Sequence, residues 1–303
     1  MFIAVFLGLA IATAWLWTPD IDRARLEARY LAAPADMVDV AGTRLHLRDS
    51  GGKDAPPLIL LHGFGASLHT WEPLARALAD EYRVIRFDLP GSGLSPPDPA
   101  GDYSDARSIA LLSAVMDQLG IAKATLVGNS MGGRIAWTYA ARNPEHVHKL
   151  VLISPDGFAS AGFEYDKVPA VPTAAKLMRY ALPKALLRMS LAPAYADPKF
   201  LSDELTTRYH DLLLAPGARE AMLQRMGQMR LQDPLPWLKK INAPTLLIWG
   251  EQDAMIPFSN AADYLAAIPN VKLSPLPGVG HLAHEEAPEL TLHPLRKFLK
   301  ENS

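Results

Sequence analysis

The 303-residue chain contains no cysteine. Disulfide bridges, thiolate nucleophiles and cysteine-ligated metals are therefore excluded, although the absence does not discriminate between reducing and oxidising compartments. An excess of one charge is also lacking, because 30 Lys and Arg residues stand against 32 Asp and Glu residues. A balanced composition has no electrostatic footprint for nucleic acid, so we expect no nucleic-acid partner.

The sequence also lacks the common metal and cofactor motifs. It has neither an H-E-x-x-H run nor a Walker run, and the Gly-x-Gly at residues 91–93 is too short for a dinucleotide fingerprint. His281, His284 and Glu285 lack a further set of ligands at metal-binding spacing. We therefore expect neither a metal nor a cofactor.

One uncharged apolar stretch covers residues 2–17. As a helix rising 1.5 Å per residue it would span ~24 Å, slightly less than the ~30 Å hydrocarbon core of a bilayer. Residues 1–18 are therefore predicted to be a membrane anchor, with Trp15 and Trp17 at the interface, or a cleaved signal with an A-x-A-like site at residues 12–14. A buried core helix is the third interpretation. Basic residues after the segment favour a cytoplasmic location for the rest of the chain.

Short apolar runs alternate with helical patterns from residue 34 onward. Alternating apolar residues on both sides of residues 41–42 predict a hairpin. Six further runs predict strands at 58–61, 83–87, 124–127, 150–153, 245–249 and 271–273. Strands separated by helices require right-handed crossovers, which predicts an α/β fold with a mainly parallel central sheet flanked by helices.

The alternation stops over residues 156–235, where seven prolines separate helix-like pieces and no strand is evident. We predict that this stretch is a helical cap inserted after the sixth strand, and that residues 34–155 and 236–303 form the core. The cap would lie at the edge where the strands' carboxyl ends open, which is where open α/β sheets bind ligands. Its methionines are expected to pack the insert rather than to bind a cofactor, and the lining of an apolar pocket is the alternative.

A G-x-S-x-G run at residues 128–132 connects the predicted strand 124–127 to a predicted helix over 134–142. The glycines leave room for a sharp turn between the two elements. Ser130 would then project its hydroxyl above the sheet edge, which makes it the candidate nucleophile. The Met131 amide would point from the helix N-terminus toward an oxyanion. The simplest alternative is a Gly-Ser turn without a catalytic role.

An attacking serine needs a base and a carboxylate that orients the base. Asp253 stands just past the predicted strand 245–249, and His281 follows a Pro-Gly-Val-Gly loop after the last predicted strand. We therefore assign Asp253 as the orienting acid and His281 as the general base, with Asp156 as the reserve acid. The simplest alternatives are a turn aspartate and a surface histidine.

The run His62-Gly63-Phe64-Gly65 follows the predicted strand 58–61. Two glycines let the backbone turn so that the Phe64 N–H faces the hydroxyl of Ser130. Together with the amide of the residue after the serine, this N–H would form a two-donor oxyanion hole. The His62 imidazole itself is not expected to be catalytic.

In this order the motifs resemble those of the α/β-hydrolase superfamily, from about Met37 to the end of the chain. The Gly-Asn-Ser-Met-Gly-Gly run, the strand over 244–250 and the apolar N-terminus are similar to those of bacterial family V lipases and esterases. The resemblance implies an α/β-hydrolase fold and cleavage of a small-molecule ester or lipid substrate through an acyl-enzyme, without a cofactor. It also implies that the rest of the chain after residue 18 is periplasmic or exported, whereas the basic residues favour a cytoplasmic location.

Two other functions stay open. Hydrolases of aromatic ring-cleavage products share the Gly-Asn-Ser-Met-Gly-Gly run, but they usually have Trp after the catalytic histidine, where this chain has Leu282. Hydrolysis of a carbon–carbon bond in a dienoic product is therefore the second choice. A non-catalytic ligand-binding protein of the same fold is the third. Haloalkane dehalogenases and epoxide hydrolases are excluded, because they have Asp in place of Ser130.

Overall fold

The computed structural model describes residues 16–159, 164–168 and 170–301. Residues 1–15 of the predicted anchor or signal over residues 1–18 lie outside the described residues. Among the described residues, no helix has both the length and the apolar character needed to cross a membrane.

A single mixed sheet of eight strands forms the centre of the described structure, in the order β1-β2-β4-β3-β5-β6-β7-β8. β2 runs antiparallel to both of its neighbours, β1 and β4, and all other neighbouring strands are parallel. The strands are β1 Met37–Val40, β2 Thr43–Ser50, β3 Pro57–Leu61, β4 Arg83–Phe87, β5 Ala124–Asn129, β6 Val147–Ile153, β7 Thr245–Gly250 and β8 Val271–Leu276. The predicted mainly parallel sheet is confirmed.

Both faces of the sheet are covered, which explains why its central strands are apolar throughout. All six residues of β5 and all six of β7 are buried. Successive side chains of a strand point to opposite faces, so Leu126 belongs to one apolar cluster with Trp249, and Val127 to the other with Leu58. The sheet is therefore the middle of three layers.

Twelve helices occur in the described residues. They are α1 Arg23–Tyr30, α2 Glu72–Leu78, α3 Asp105–Gln118, α4 Met131–Arg142, α5 Thr173–Lys176, α6 Lys184–Leu191, α7 Asp203–Leu213, α8 Ala218–Gln228, α9 Leu235–Leu238, α10 Ala261–Ala267, α11 Ala283–Glu286 and α12 Pro288–Lys300. The predicted helix over 134–142 begins three residues earlier than expected, directly after Ser130.

The stretch between β6 and β7 is helical, and no strand interrupts it within the residues described there. A helical cap after the sixth strand is thus confirmed. α6 begins directly after Pro183, one of the prolines that separate the helical pieces. On its inner side, Leu187 of this helix packs against Leu182 and Tyr209 of the same cap.

Candidate active site

Ser130 occupies the sharp turn between β5 and α4. Its backbone has φ 53° and ψ −121°, a conformation that costs a non-glycine residue free energy. The turn is held because the Ser130 N–H donates to the Ile153 carbonyl at 3.1 Å. The flanking glycines are required by space: a Cβ at Gly132 would lie 2.1 Å from the Leu61 carbonyl oxygen, and one at Gly128 would lie 2.3 Å from the carbonyl oxygen of Gly132.

His281 and Asp253 contact each other directly. The distance between His281 Nδ1 and Asp253 Oδ2 is 2.8 Å, and both residues are buried. The second carboxylate oxygen of Asp253 accepts hydrogen bonds from the amides of Met255 at 2.8 Å and Ile256 at 2.9 Å. Asp253 is thus both a turn residue and the partner of the imidazole. Because Nδ1 is occupied, Nε2 is the ring nitrogen that is left to take a proton from a serine.

The reserve acid has a different partner. Asp156 Oδ2 accepts a hydrogen bond from Arg134 Nη1 at 2.7 Å, and the Asp156 N–H donates to the Ser130 carbonyl at 3.1 Å. Of the two candidate acids, therefore, only Asp253 is bonded to the imidazole.

The backbone of His281 is held from two sides that the sequence did not reveal. The side-chain amide of Asn129 donates to the carbonyls of His281 and Ile153, each at 3.1 Å. The N–H of His281 donates to the carbonyl of Ala194, a cap residue, at 2.9 Å. The residue before the serine and a residue of the cap thus position the loop that carries the imidazole.

Phe64 and Met131, the two predicted oxyanion donors, line the same cavity as Ser130 and His281. A Cβ at Gly63 would lie only 3.2 Å from the Cβ of Ser130, so the backbone that leads into Phe64 passes directly beside the serine. Within the described part of the chain, neither amide donates to another group. Met131 is also the first residue of α4, where the helix dipole is positive.

The predicted non-catalytic role of His62 agrees with its contacts. Its Nδ1 donates to the Gly63 carbonyl at 2.8 Å, and its Nε2 accepts from the Leu89 amide at 3.0 Å. Burial lowers the pKa of this imidazole, which favours the neutral form that these two bonds require. His62 therefore stabilises the turn with both ring nitrogens.

A cavity of about 650 Å³ opens above Ser130. Its lining is mostly apolar and comes from both core and cap: Phe64, Met131, Phe158, Val168, Ala170, Val171, Pro172, Met226, Met229, Leu231, Met255 and Ile256. The charged residues at its wall are Arg134, Asp156, Glu164 and Lys167. The site can therefore enclose a largely apolar molecule next to the serine.

A family model described as alpha/beta hydrolase fold matches residues 56–288. The chain belongs to the α/β-hydrolase family. Its sequence is 32% identical over 251 residues to a 2-hydroxy-6-oxo-6-phenylhexa-2,4-dienoate hydrolase of Burkholderia cepacia, covering 80% of this chain and 86% of that protein. The protein is thus a hydrolase.

Two solved structures of the same family are similar to this α/β-hydrolase. One is a membrane phospholipase A described as a novel bacterial virulence factor, with 27% identity, a TM-score of 0.76 and coverage of 98% of this chain and 97% of that one. The other is a meta-cleavage product hydrolase from Pseudomonas fluorescens IP01, with 26% identity, a TM-score of 0.74 and coverage of 88% and 98%. Lipid hydrolases and carbon–carbon hydrolases are therefore both among its relatives.

In this hydrolase, each cation at the cavity wall has a carboxylate partner within the described residues. Arg134 is buried and bonds Asp156 at 2.7 Å and Asp105 at 3.1 Å. Lys167 lies 2.5 Å from Glu164. Three carboxylates thus balance two cations, and the wall offers no described cation that is free to receive an anionic substrate.

A buried polar cluster joins the cap to the loop that carries His281. Glu285 Oε2 accepts hydrogen bonds from the hydroxyls of Tyr195 at 2.7 Å and Tyr209 at 2.8 Å, and its other oxygen pairs with Arg208. Burial together with this carboxylate raises the Tyr209 pKa, so the hydroxyl stays protonated and can donate. The sequence alone indicates Glu285 only as part of an incomplete metal-ligand set, because its partners Tyr195, Arg208 and Tyr209 come from distant positions in the cap.

His284 lies one turn away from the same loop and is fully buried. Its ring stacks on Trp71 with a centroid distance of 3.9 Å and an interplanar angle of 27°. Neither ring nitrogen has a hydrogen-bond partner in the described residues. Burial lowers the pKa of this imidazole from 6.5 to about 3, so His284 is neutral in the folded hydrolase.

Proposed function

We propose that this hydrolase cleaves carboxylic esters through an acyl-enzyme on Ser130. The observation that carries the proposal is that Ser130 and His281 line one apolar cavity while the imidazole of His281 bonds a buried carboxylate. Ser130 stands in a strained turn that lines the cavity, and His281 lines the same cavity while its Nδ1 bonds Asp253 at 2.8 Å. A serine, an imidazole and a carboxylate in this order along the chain are typical of the nucleophile and its relay in α/β-hydrolases.

In the first step Ser130 Oγ attacks the carbonyl carbon of the ester while Nε2 of His281 takes the hydroxyl proton. The same proton then passes to the alkoxide as the carbon–oxygen bond breaks, which releases the alcohol. Water attacks the acyl-enzyme with His281 again as the base, the bond between the acyl carbon and Ser130 Oγ breaks as the proton passes from His281 to Oγ, and the carboxylic acid leaves. Asp253 keeps the proton on Nδ1 throughout and stabilises the imidazolium that forms in each half of the reaction.

The negative charge on the carbonyl oxygen needs donors in the transition state. We assign this role to the amides of Phe64 and Met131, which lie at the cavity beside the serine and donate to nothing else that is described. Loss of one such donor typically costs about 3 kcal/mol of transition-state stabilisation. Substitution of a side chain does not remove a backbone amide, so this assignment rests on geometry.

The substrate class follows from the cavity wall. An apolar lining favours a hydrocarbon acyl chain, and paired cations do not favour a substrate that carries its own carboxylate. Similarity to a membrane phospholipase over 98% of this chain supports the same class. A neutral ester with an apolar acyl group, as in a lipid, is therefore the proposed substrate.

Carbon–carbon hydrolysis is the second candidate, because the dienoate hydrolase of Burkholderia cepacia is 32% identical to this chain. A dienoate substrate is an anion, and its binding would require a cation at the wall. Arg134 could serve only by weakening its bonds to Asp105 and Asp156. The charge pairs of this cavity thus favour the ester over the dienoate.

Burst kinetics on a matched panel test the proposal. p-Nitrophenyl esters of increasing acyl length are compared with 2-hydroxy-6-oxo-6-phenylhexa-2,4-dienoate on the wild type and on Ser130→Ala. We expect a burst with the esters, a kcat/KM at least about 100-fold above that for the dienoate, and a loss of about 10⁴-fold or more in kcat for the variant.

Three results would contradict the proposal. Turnover of the dienoate with indifference to every ester would establish the second candidate instead. Full ester turnover by Ser130→Ala would remove the nucleophile assignment. A folded wild type that a fluorophosphonate does not label at Ser130 would indicate a non-catalytic binding protein.

A further inference from the structure

The exposed large apolar side chains of this hydrolase are concentrated on the cap and on the residues just before α1. Nine of the twelve in the described residues lie there. Five of them form what we call the cap face: Trp17, Leu177, Tyr180, Leu186 and Met189, each more than half exposed. Side chains of this size rarely gather on a surface that meets only water.

Contacts tie the members of the cap face together. The rings of Trp17 and Tyr180 stack at 6.0 Å, and the Thr18 N–H donates to the Tyr180 carbonyl at 2.9 Å. Tyr180 in turn donates its N–H to the Leu177 carbonyl at 2.9 Å. The inner side of α6 packs on the cap through Leu187, which leaves the exposed Leu186 and Met189 of the same helix facing outward.

The cap segment over residues 167–196 differs in charge from the whole chain. Residues 167–196 contain five basic residues and no Asp or Glu, whereas the chain has a net charge of −2. Lys176 and Arg188 are exposed on α5 and α6, and no carboxylate pairs with either of them in the described residues. Exposed apolar side chains and unpaired cations thus share one surface.

The cap face also adjoins the mouth of the cavity. Val168 lines the cavity and is 60% exposed, and Pro172, another lining residue, directly precedes α5. The chain reaches this face at Trp17, after a stretch over residues 2–16 that contains no charged residue. A partner of this face would therefore meet an apolar surface and the cavity mouth together.

We propose that the cap face docks on a lipid bilayer that contains anionic headgroups. Aromatic and aliphatic side chains suit the boundary between headgroups and acyl chains, and unpaired Lys and Arg suit its negative charge. Docking there brings the cavity mouth to the lipid. Docking itself needs none of the residues assigned to hydrolysis, so it stands or falls separately from the proposed function.

The absence of cysteine makes a direct test possible. Single cysteines replace Met189 on the cap face or Leu290 on α12, which are 71% and 53% exposed. Both variants carry Ser130→Ala, so that the lipid is not consumed, and both are labelled with the fluorophore NBD. They are mixed with equimolar phosphatidylcholine–phosphatidylglycerol vesicles, with and without a nitroxide-labelled lipid. We expect a blue shift and nitroxide quenching at position 189 and neither at position 290, even where residues 1–18 hold the whole chain to the vesicle.

A charge-reversal pair tests the electrostatic part. Lys176→Glu with Arg188→Glu removes the two unpaired cations of the cap face, and Lys239→Glu with Lys297→Glu makes the same change at two exposed lysines elsewhere. We expect the first pair to need about 30-fold more vesicle lipid for half of the signal at position 189, and the second pair to need about the same as the parent.

Equal signals at positions 189 and 290 would overturn the proposal, because the cap face would then have no special contact with lipid. Equal responses to the two charge-reversal pairs would overturn the requirement for anionic headgroups. A blue shift at position 189 that grows with protein concentration without vesicles, together with dimers in sedimentation, would assign the face to a second copy of the chain instead.

Discussion

The core and the cap both contribute to the wall around Ser130, but they hold their residues differently. Core residues are bound by several directed contacts, as in Asp253, whose carboxylate accepts three hydrogen bonds. Cap residues at the same cavity, such as Val171, Met226 and Met229, contribute apolar side chains. Directed contacts define atomic positions, whereas apolar packing defines a volume. The core thus determines which bond-breaking chemistry is possible, and the cap determines which molecule reaches it.

The two regions are not independent, because the cap holds part of the loop that carries His281. The Ala194 carbonyl accepts the N–H of His281 at 2.9 Å, and the hydroxyls of Tyr195 and Tyr209 bond Glu285 four residues later. The cap therefore positions the imidazole of His281 as well as lining the cavity. Loss of these contacts would affect the chemical step through His281, whereas changes at the cavity wall would affect the choice of substrate.

The largest effect is expected in the core, from Asp253→Asn. The amide cannot keep the imidazole in the tautomer that leaves Nε2 free for Ser130, and it does not stabilise the imidazolium. We expect kcat for a p-nitrophenyl ester to fall by about 10⁴-fold with little change in KM. Stopped-flow measurement of the burst and the steady state checks this.

The same substitution at the reserve acid is the matched control. Asp156→Asn removes a carboxylate that bonds Arg134 rather than His281, so kcat for the neutral ester should fall by less than tenfold. If the two variants lost activity equally, the assignment of Asp253 as the orienting acid would be wrong, and the division of chemistry between core and cap would lose its main support.

Much of the site could be predicted because each residue lies in a short run at the end of a strand. Carboxyl ends of parallel strands meet at one edge, so Ser130, Asp253 and His281 converge once the strands are recognised. The Ala194 carbonyl could not be predicted, because a backbone acceptor leaves no signal in residue type. The early start of α4 was missed for a different reason: Gly132 and Gly133 are poor helix formers, and tertiary packing overrides their propensity.

A smaller effect, on stability, is expected in the core beside the His281 loop, from His284→Phe. The folded-state pKa of His284 is about 3, below its ordinary value of 6.5, so protonation favours the unfolded chain. Stability therefore falls as the pH drops below about 6.5, and the loss ends only near pH 3. Phenylalanine keeps the stack on Trp71 and removes the titration.

Between pH 7.5 and pH 4.5 the wild type should lose about 3 kcal/mol more unfolding free energy than His284→Phe. Urea denaturation at both pH values measures the difference. At pH 7.5 the imidazole is neutral in both states, so the comparison there reports packing alone. His69, whose pKa burial lowers to about 4, titrates in both proteins and cancels. Identical pH dependence would show that His284 is protonated or solvated in the folded hydrolase.

The smallest effect is expected at the cavity wall, on the choice of substrate. Asp156→Asn removes one of the three carboxylates and leaves Arg134 with Asp105 alone. An anionic acyl group should then bind better, while a neutral one should change little. We expect the ratio of kcat/KM for mono-p-nitrophenyl succinate to that for p-nitrophenyl butyrate to rise about tenfold. One charge next to the bound acyl group contributes on the order of 1–2 kcal/mol.

Glu164→Gln is the matched control, because this carboxylate is 69% exposed and solvent screens its charge. Its effect on the same ratio should be about twofold. Circular dichroism establishes that Asp156→Asn remains folded, since Arg134 is buried and loses one partner. If the ratio stayed the same, Asp156 would not face the bound acyl group. The charge pairs would then give no reason to prefer an ester over a dienoate, and acyl selection would rest on the apolar cap residues alone.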